Sequence, residues 1–122
     1  MMYVETDFIL ALIKDEDWLK EPAKKVYENN KDDLWTRDYT LIELMLVSYR
    51  EDRNVLKTVA GACKLIEIKG DEALMKKAAS HVTENDFTPL DAVHLASSNG
   101  DKIISSEEAY KKFSEVEKLD EK

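Results

Sequence analysis

Cysteine, proline, glycine and arginine are all scarce in this 122-residue chain, and it has no long hydrophobic run. Its single cysteine, Cys63, can build neither an intramolecular disulfide nor a zinc cluster. It is expected to act as a small buried hydrophobe. Three glycines and two prolines leave few places for the backbone to break, which argues for a largely helical chain with short connections. No linker, repeat or low-complexity tract is visible. No stretch approaches the roughly 20 apolar residues of a membrane-spanning helix. The apolar run 8–13 is too short for the core of a secretory signal, and Glu5 and Asp7 stand where basic residues would precede it. A cytoplasmic protein is the expectation. Positive charge is also in deficit, with Lys+Arg 18 against Asp+Glu 26 and a net charge of −8. That excludes coating nucleic acid through bulk positive charge. It leaves open a site built from carboxylates, where a bound cation supplies the local positive field.

What is present is a single domain, residues 1–122, with alternating strand and helix signals. Strands are expected at 3–5, 33–36, 65–68 and 102–105, with a last edge strand at 116–119. Between them, a first helix opens at 8–13. A second carries Leu19, Ala23, Val26 and Tyr27 at helical spacing, with Pro22 either kinking it or marking its first turn. Helices follow at 40–49, 55–63, 72–82 (Ala73, Ala78, Ala79 and Val82 inward), 88–98 and 107–113. Asn99-Gly100 stops the helix before the fourth strand. Such alternation implies parallel strands joined by crossovers. The expected architecture is an α/β fold, a three-layer α/β/α sandwich around a mostly parallel sheet of four or five short strands. In open sheets of this kind the site lies beyond the carboxyl ends of the strands.

Acidic residues occupy those positions: Glu5 or Asp7, then Glu43, Asp91 and Glu107. Hard divalent cations take oxygen ligands, and such cations can stabilise the attacking and leaving oxygens of a phosphodiester. Local capping explains the same residues. Thr40-Leu-Ile-Glu43 has the form of a capping box, Thr88-Pro-Leu-Asp91 resembles it with Pro at the first helical position, and Ser105-Ser-Glu-Glu108 repeats it with Glu107 in the first turn. Capping and metal binding are compatible, because one carboxylate oxygen can serve each.

The flanking residues narrow the choice. Asp86-Phe-Thr-Pro-Leu-Asp-Ala-Val-His-Leu-Ala-Ser97 resembles the third acidic motif of PIN domains. Ile103-Ile-Ser-Ser-Glu-Glu-Ala-Tyr110 resembles the fourth, Thr40-Leu-Ile-Glu-Leu44 the second, and Tyr3-Val-Glu-Thr-Asp-Phe-Ile-Leu-Ala-Leu12 the first. The resemblance spans nearly the whole chain in the family's order. It implies a Mg²⁺- or Mn²⁺-dependent endoribonuclease, similar to the VapC-like toxins of VapBC-type toxin–antitoxin pairs. By the same resemblance the chain would form a homodimer and be inhibited by a VapB-like antitoxin. The implied catalytic and metal-binding residues are Asp91, Glu43, Glu107 and Glu5 or Asp7, with the hydroxyls of Thr6 and Ser106 nearby. Glu5 and Glu107 stand where the family commonly has Asp, which changes the reach of the ligands. A non-catalytic PIN-like module that binds RNA or protein is the alternative. A phosphatase or receiver domain needs an Asp nucleophile after the first strand with Lys and Ser/Thr partners, and Glu-Thr-Asp fits neither pattern.

Other residues are weighed on chemistry alone. His94, one turn beyond Asp91, is expected to pack within its helix, since hard cations prefer oxygen to imidazole. His81 is expected at the surface. Trp18 and Trp35 suit core or interface positions, although either could stack a base. Arg37, Arg50 and Arg53 flank the apolar helix and, if RNA binds, are the candidates for phosphate contact; for any one of them a solvated face is the preferred reading. That helix, apolar almost all round over 41–49, must bury several sides, and a subunit interface is one way to do so.

Overall fold

The computed structural model describes residues 1–119; residues 120–122 of the expected domain lie outside them. The order of elements is β1 (Met2–Tyr3), α1 (Thr6–Ile13), α2 (Lys20–Asn30), β2 (Leu34–Arg37), α3 (Asp38–Arg50), α4 (Val55–Leu65), β3 (Glu67–Lys69), α5 (Glu72–Asn85), α6 (Pro89–Ser98), β4 (Ile103–Ser105) and β5 (Val116–Lys118). Single 3₁₀ turns occupy Lys31–Asp33 and Ala109–Lys112. The fold is α/β, and each of the first three crossovers is a pair of helices.

All strand pairs are parallel, but the strands form two small sheets rather than one of four or five. The first has the order β1-β2-β3 and the second pairs β4 with β5. β1 contributes only two ladder residues, Met2 opposite Leu34 and Tyr3 opposite Trp35. Its chain then leaves the ladder: Val4 N–H bonds to Trp35 O at 2.9 Å and Glu5 already precedes α1. So short a strand offers little second edge for β4 to pair with. The last segment also shortens. The helix expected at 107–113 is a 3₁₀ turn, because Glu107 and Glu108 precede a stretch that buries only Tyr110.

The helices carry the core. α3 packs on α1, α4, α5 and α6. Its Leu41, Leu44 and Met45 are fully buried, each contributing about 1.5–3 kcal/mol relative to exposure. The helix that reads as apolar on every side is therefore covered by this chain's own helices, with Leu46 and Tyr49 left at the surface. In α5 the buried set is Met75, Ala78, Ala79 and Val82, spaced i, i+3, i+4, i+7. Ala73 is exposed, not inward as expected, because it lies two residues before the start of that stripe. Pro22 sits in the first turn of α2, where its missing N–H costs nothing. Among the described residues no helix is long and apolar enough to cross a membrane.

Candidate active site

Parallel strands deliver their carboxyl ends to one edge of each sheet, and that is where the acidic residues enter. After β1 the backbone at Glu5 is extended and α1 begins at Thr6. Glu5 is exposed and its side chain caps nothing. Thr6 Oγ1 donates to Glu43 Oε1 at 3.1 Å, linking the first turn of α1 to α3. Asp7 is exposed and lines an apolar groove of about 270 Å³ between α1 and α2, with Phe8, Leu19 and Val26.

The capping box expected at Thr40 and Glu43 is overturned. α3 starts two residues earlier, at Asp38, so Thr40 lies inside the helix, fully buried, and its Oγ1 meets the Tyr3 hydroxyl at 3.1 Å. Asp38 displaces it. One carboxylate oxygen accepts Tyr39 N–H at 2.9 Å, and the other reaches the next crossover to accept Asp71 N–H at 3.0 Å. Glu43 is thereby free of the backbone and answers to Thr6.

Pro89 is the first residue of α6 and Asp91 the third, in its first turn. Thr88 precedes them without a side-chain capping bond. Asp91 Oδ1 instead accepts the Tyr110 hydroxyl at 3.3 Å. Tyr110 is 4% exposed and stacks on Phe87, centroids 5.9 Å apart. Burial, then the Asp91 charge, push its phenol up to about 12, so it stays a proton donor to Asp91. The charge of Glu107 acts on the same phenol. Glu107 itself is held by a local turn: its N–H donates to Ser105 Oγ at 2.9 Å and its Oε1 accepts Ala109 N–H at 3.2 Å. Ser106 is exposed beside it.

Two of the carboxylates are thus anchored by hydroxyls, Glu43 by Thr6 and Asp91 by Tyr110. Among the described residues no three His, Cys, Asp or Glu side chains stand together as a ready ligand set. The donors are all oxygen, however, and Mg²⁺ characteristically uses one or two carboxylates and keeps several waters. The residues fit a hard divalent cation in their chemistry.

Four further expectations change. His94 is exposed, lining a cleft of about 420 Å³ with Ser97, Lys102 and the outer edge of β4. His81 is half-buried, its ring 5.7 Å from Phe87 and 5.5 Å from Phe113. Trp18 is 88% exposed in the connection between α1 and α2, neither core nor covered. Cys63 is half-buried, and burial followed by the neighbouring Glu72 pushes its thiol up to about 12, which makes it unreactive. Asp38 and Tyr110 lay outside the set of candidate side chains. The only sequence signal for Tyr110 was the aromatic residue that follows the fourth acidic motif, and Asp38 had none. Comparison with protein-family models, characterised proteins and solved structures found no match for this chain.

Proposed function

We propose that the chain is a PIN-type, metal-dependent endoribonuclease that hydrolyses RNA phosphodiester bonds, the toxin half of a VapBC-type pair. The observation that supports this reading is the anchoring of Glu43 and Asp91. Glu43 lies on α3 and Asp91 in the first turn of α6, and each gives one oxygen to a hydroxyl of another element, leaving the second for a ligand. Asp91 and Glu43 would hold Mg²⁺ or Mn²⁺, with Glu107 from the Tyr110 side and Glu5 from the end of β1; Asp7, on the α1–α2 groove, is the weaker of the two first-motif candidates. The bound cation would polarise the phosphate and stabilise the charge that develops on it. The chain's own part is to orient the carboxylates. Tyr110 donates to Asp91 and stays protonated, and Thr6 fixes the rotamer of Glu43. The reading carries with it a three-layer α/β/α architecture of PIN type, a cytoplasmic location, a homodimer and a VapB-like antitoxin.

The test is cleavage of single-stranded RNA by the purified protein with Mn²⁺ or Mg²⁺. Cleavage should stop with excess EDTA and fall at least a hundredfold in Asp91→Asn, the scale expected for loss of an electrostatic catalytic group. Activity that survives EDTA, or an Asp91→Asn variant equal to wild type, would sink the proposal. A non-catalytic PIN-like module is the second reading, favoured by Glu5 and Glu107 standing where the family commonly has Asp. It predicts no cleavage with either metal while a partner still binds. Recovery of cleavage in Glu5→Asp/Glu107→Asp would trace the defect to side-chain reach.

A further inference from the structure

The strand register gathers aromatic and cationic side chains at the carboxyl end of the first sheet. Tyr3 pairs with Trp35, and Arg37 pairs with Lys69 one step further on. Trp35 and Arg37 are two residues apart on β2 and share a face. The Tyr3 and Trp35 rings meet edge to face at 5.0 Å, and Lys69 Nζ lies 4.1 Å from the Trp35 centroid. Tyr39, in the first turn of α3, directly precedes Thr40, whose hydroxyl meets that of Tyr3 at 3.1 Å. Tyr3 is 43% and Tyr39 56% exposed. Glu43 is the residue one helical turn beyond Tyr39.

From this arrangement we infer that Tyr3, Tyr39, Arg37 and Lys69 form a binding strip for single-stranded RNA that runs toward Glu43. The choice of RNA rests on the nuclease reading above, and the strip supplies its own argument. Single strands are held by aromatic rings on which bases stack and by cations that follow the backbone. On a chain of net charge −8, neither Arg37 nor Lys69 is in an ion pair among the described residues. The nearby Asp38 carboxylate accepts two backbone N–H groups, and Glu67 stands in register with Trp35 as an opposing charge. Tyr3 and Tyr39 are the exposed rings, while Trp35 is half-buried with Lys69 over it.

The test is fluorescence anisotropy of a labelled ten-nucleotide single-stranded RNA of mixed sequence, titrated with the full chain in EDTA so that binding is read without cleavage. Tyr39→Ala should weaken binding about tenfold, within the range for loss of one stacked base. Tyr39→Phe should keep it. Arg37→Ala should weaken it and lower the salt slope by about 0.7, the value for one phosphate contact on a single strand. Lys25→Ala, on the exposed face of α2, should change nothing, and Glu67→Gln should tighten binding. The strip is overturned if wild type does not bind, if Tyr39→Ala binds as wild type, if Tyr39→Phe is as weak as Tyr39→Ala, or if Lys25→Ala loses as much as Arg37→Ala. A parallel cleavage assay with Mn²⁺ separates the two ideas. Cleavage with an unchanged KM in Tyr39→Ala and Arg37→Ala removes the strip and keeps the nuclease. Strip-dependent binding without cleavage keeps the strip and removes the nuclease.

Discussion

At the scale of single residues, Asp38 and Gly70 show how a site edge is fixed by groups that carry no chemistry. Gly70 has φ +111°, a region that L side chains rarely adopt, and a Cβ there would overlap the Asp38 carboxyl. That carboxyl holds Tyr39 N–H and Asp71 N–H together, so it cannot step aside without freeing both. Gly70→Ala should therefore destabilise the protein by about 2–3 kcal/mol, the scale of a strained backbone position combined with a displaced hydrogen-bonded group. Chemical denaturation would measure it. Because both effects act through one contact, Gly70→Ala/Asp38→Ala should cost less than the sum of the single changes. Additive losses would mean that the Cβ and the carboxyl do not meet. The strand run at 65–68 that ends before Gly70 was legible. The meeting of Gly70 with Asp38 was not, because the two residues are brought together only by the pairing of β2 with β3.

At the scale of elements, most of the chain could be read from periodicity. Every expected strand and helix between residues 2 and 105 has a counterpart, with ends shifted by at most three residues. α4, α5 and α6 begin close to where capping and apolar spacing place them. What escaped was the use of side chains at those ends. Thr40 looks like a cap and is instead a buried partner of Tyr3, and Asp91 looks like a cap and is instead a partner of Tyr110. A capping signature specifies a helix start but not the tertiary acceptor that competes for the same oxygen. The carboxyl end of α5 makes a similar point. His81 reads as a surface residue, yet the backbone turns at Asp86 in a left-handed conformation, which sends Phe87 back beneath the histidine ring. The ring also meets Phe113, and its Nδ1 lies 3.0 Å from the Asn85 amide. Burial, aided by the charge of Lys77 and opposed by that of Glu84, lowers the His81 pKa below 6.5. The unfolded chain then binds the proton more readily than the folded one. This contribution to stability is complete above about pH 6.5 and is lost as pH falls through the lowered value. Thermal unfolding followed from pH 7.5 to 5 should show a fall in midpoint that is absent in His81→Gln. An identical pH profile in the two proteins would exclude His81 as the source. The carboxylates held low by lysines, Glu51 beside Lys14 and Glu108 beside Lys118, act only below about pH 4.5 and so do not enter this window.

For the whole molecule, the two sheets and the surplus of acid belong to one problem. Helix packing around α3 supplies the stability, while the strands contribute two to four residues each and chiefly aim their carboxyl ends. Chain order marks the acidic residues as candidates. The bonds of Glu43 to Thr6 and of Asp91 to Tyr110 were not legible, because they depend on how elements distant in sequence pack together. Gathering like charges without a cation costs folding free energy, and a ligand that binds only the folded state returns it in proportion to RT ln(1 + [L]/Kd). If Asp91 and Glu43 hold a divalent cation, Mn²⁺ at a hundred times its Kd should stabilise the protein by about 2.7 kcal/mol. For a domain of this size that is a rise in Tm on the order of 10 °C. Differential scanning fluorimetry with MnCl₂, against NaCl matched for ionic strength, separates specific binding from screening. The rise should be largely lost in Asp91→Asn and reduced in Glu43→Gln, while Asp7→Asn, on the α1–α2 groove, should keep it. An equal rise with NaCl would assign the effect to general charge repulsion. A rise that persists in Asp91→Asn and disappears in Asp7→Asn would move the cation to the start of α1.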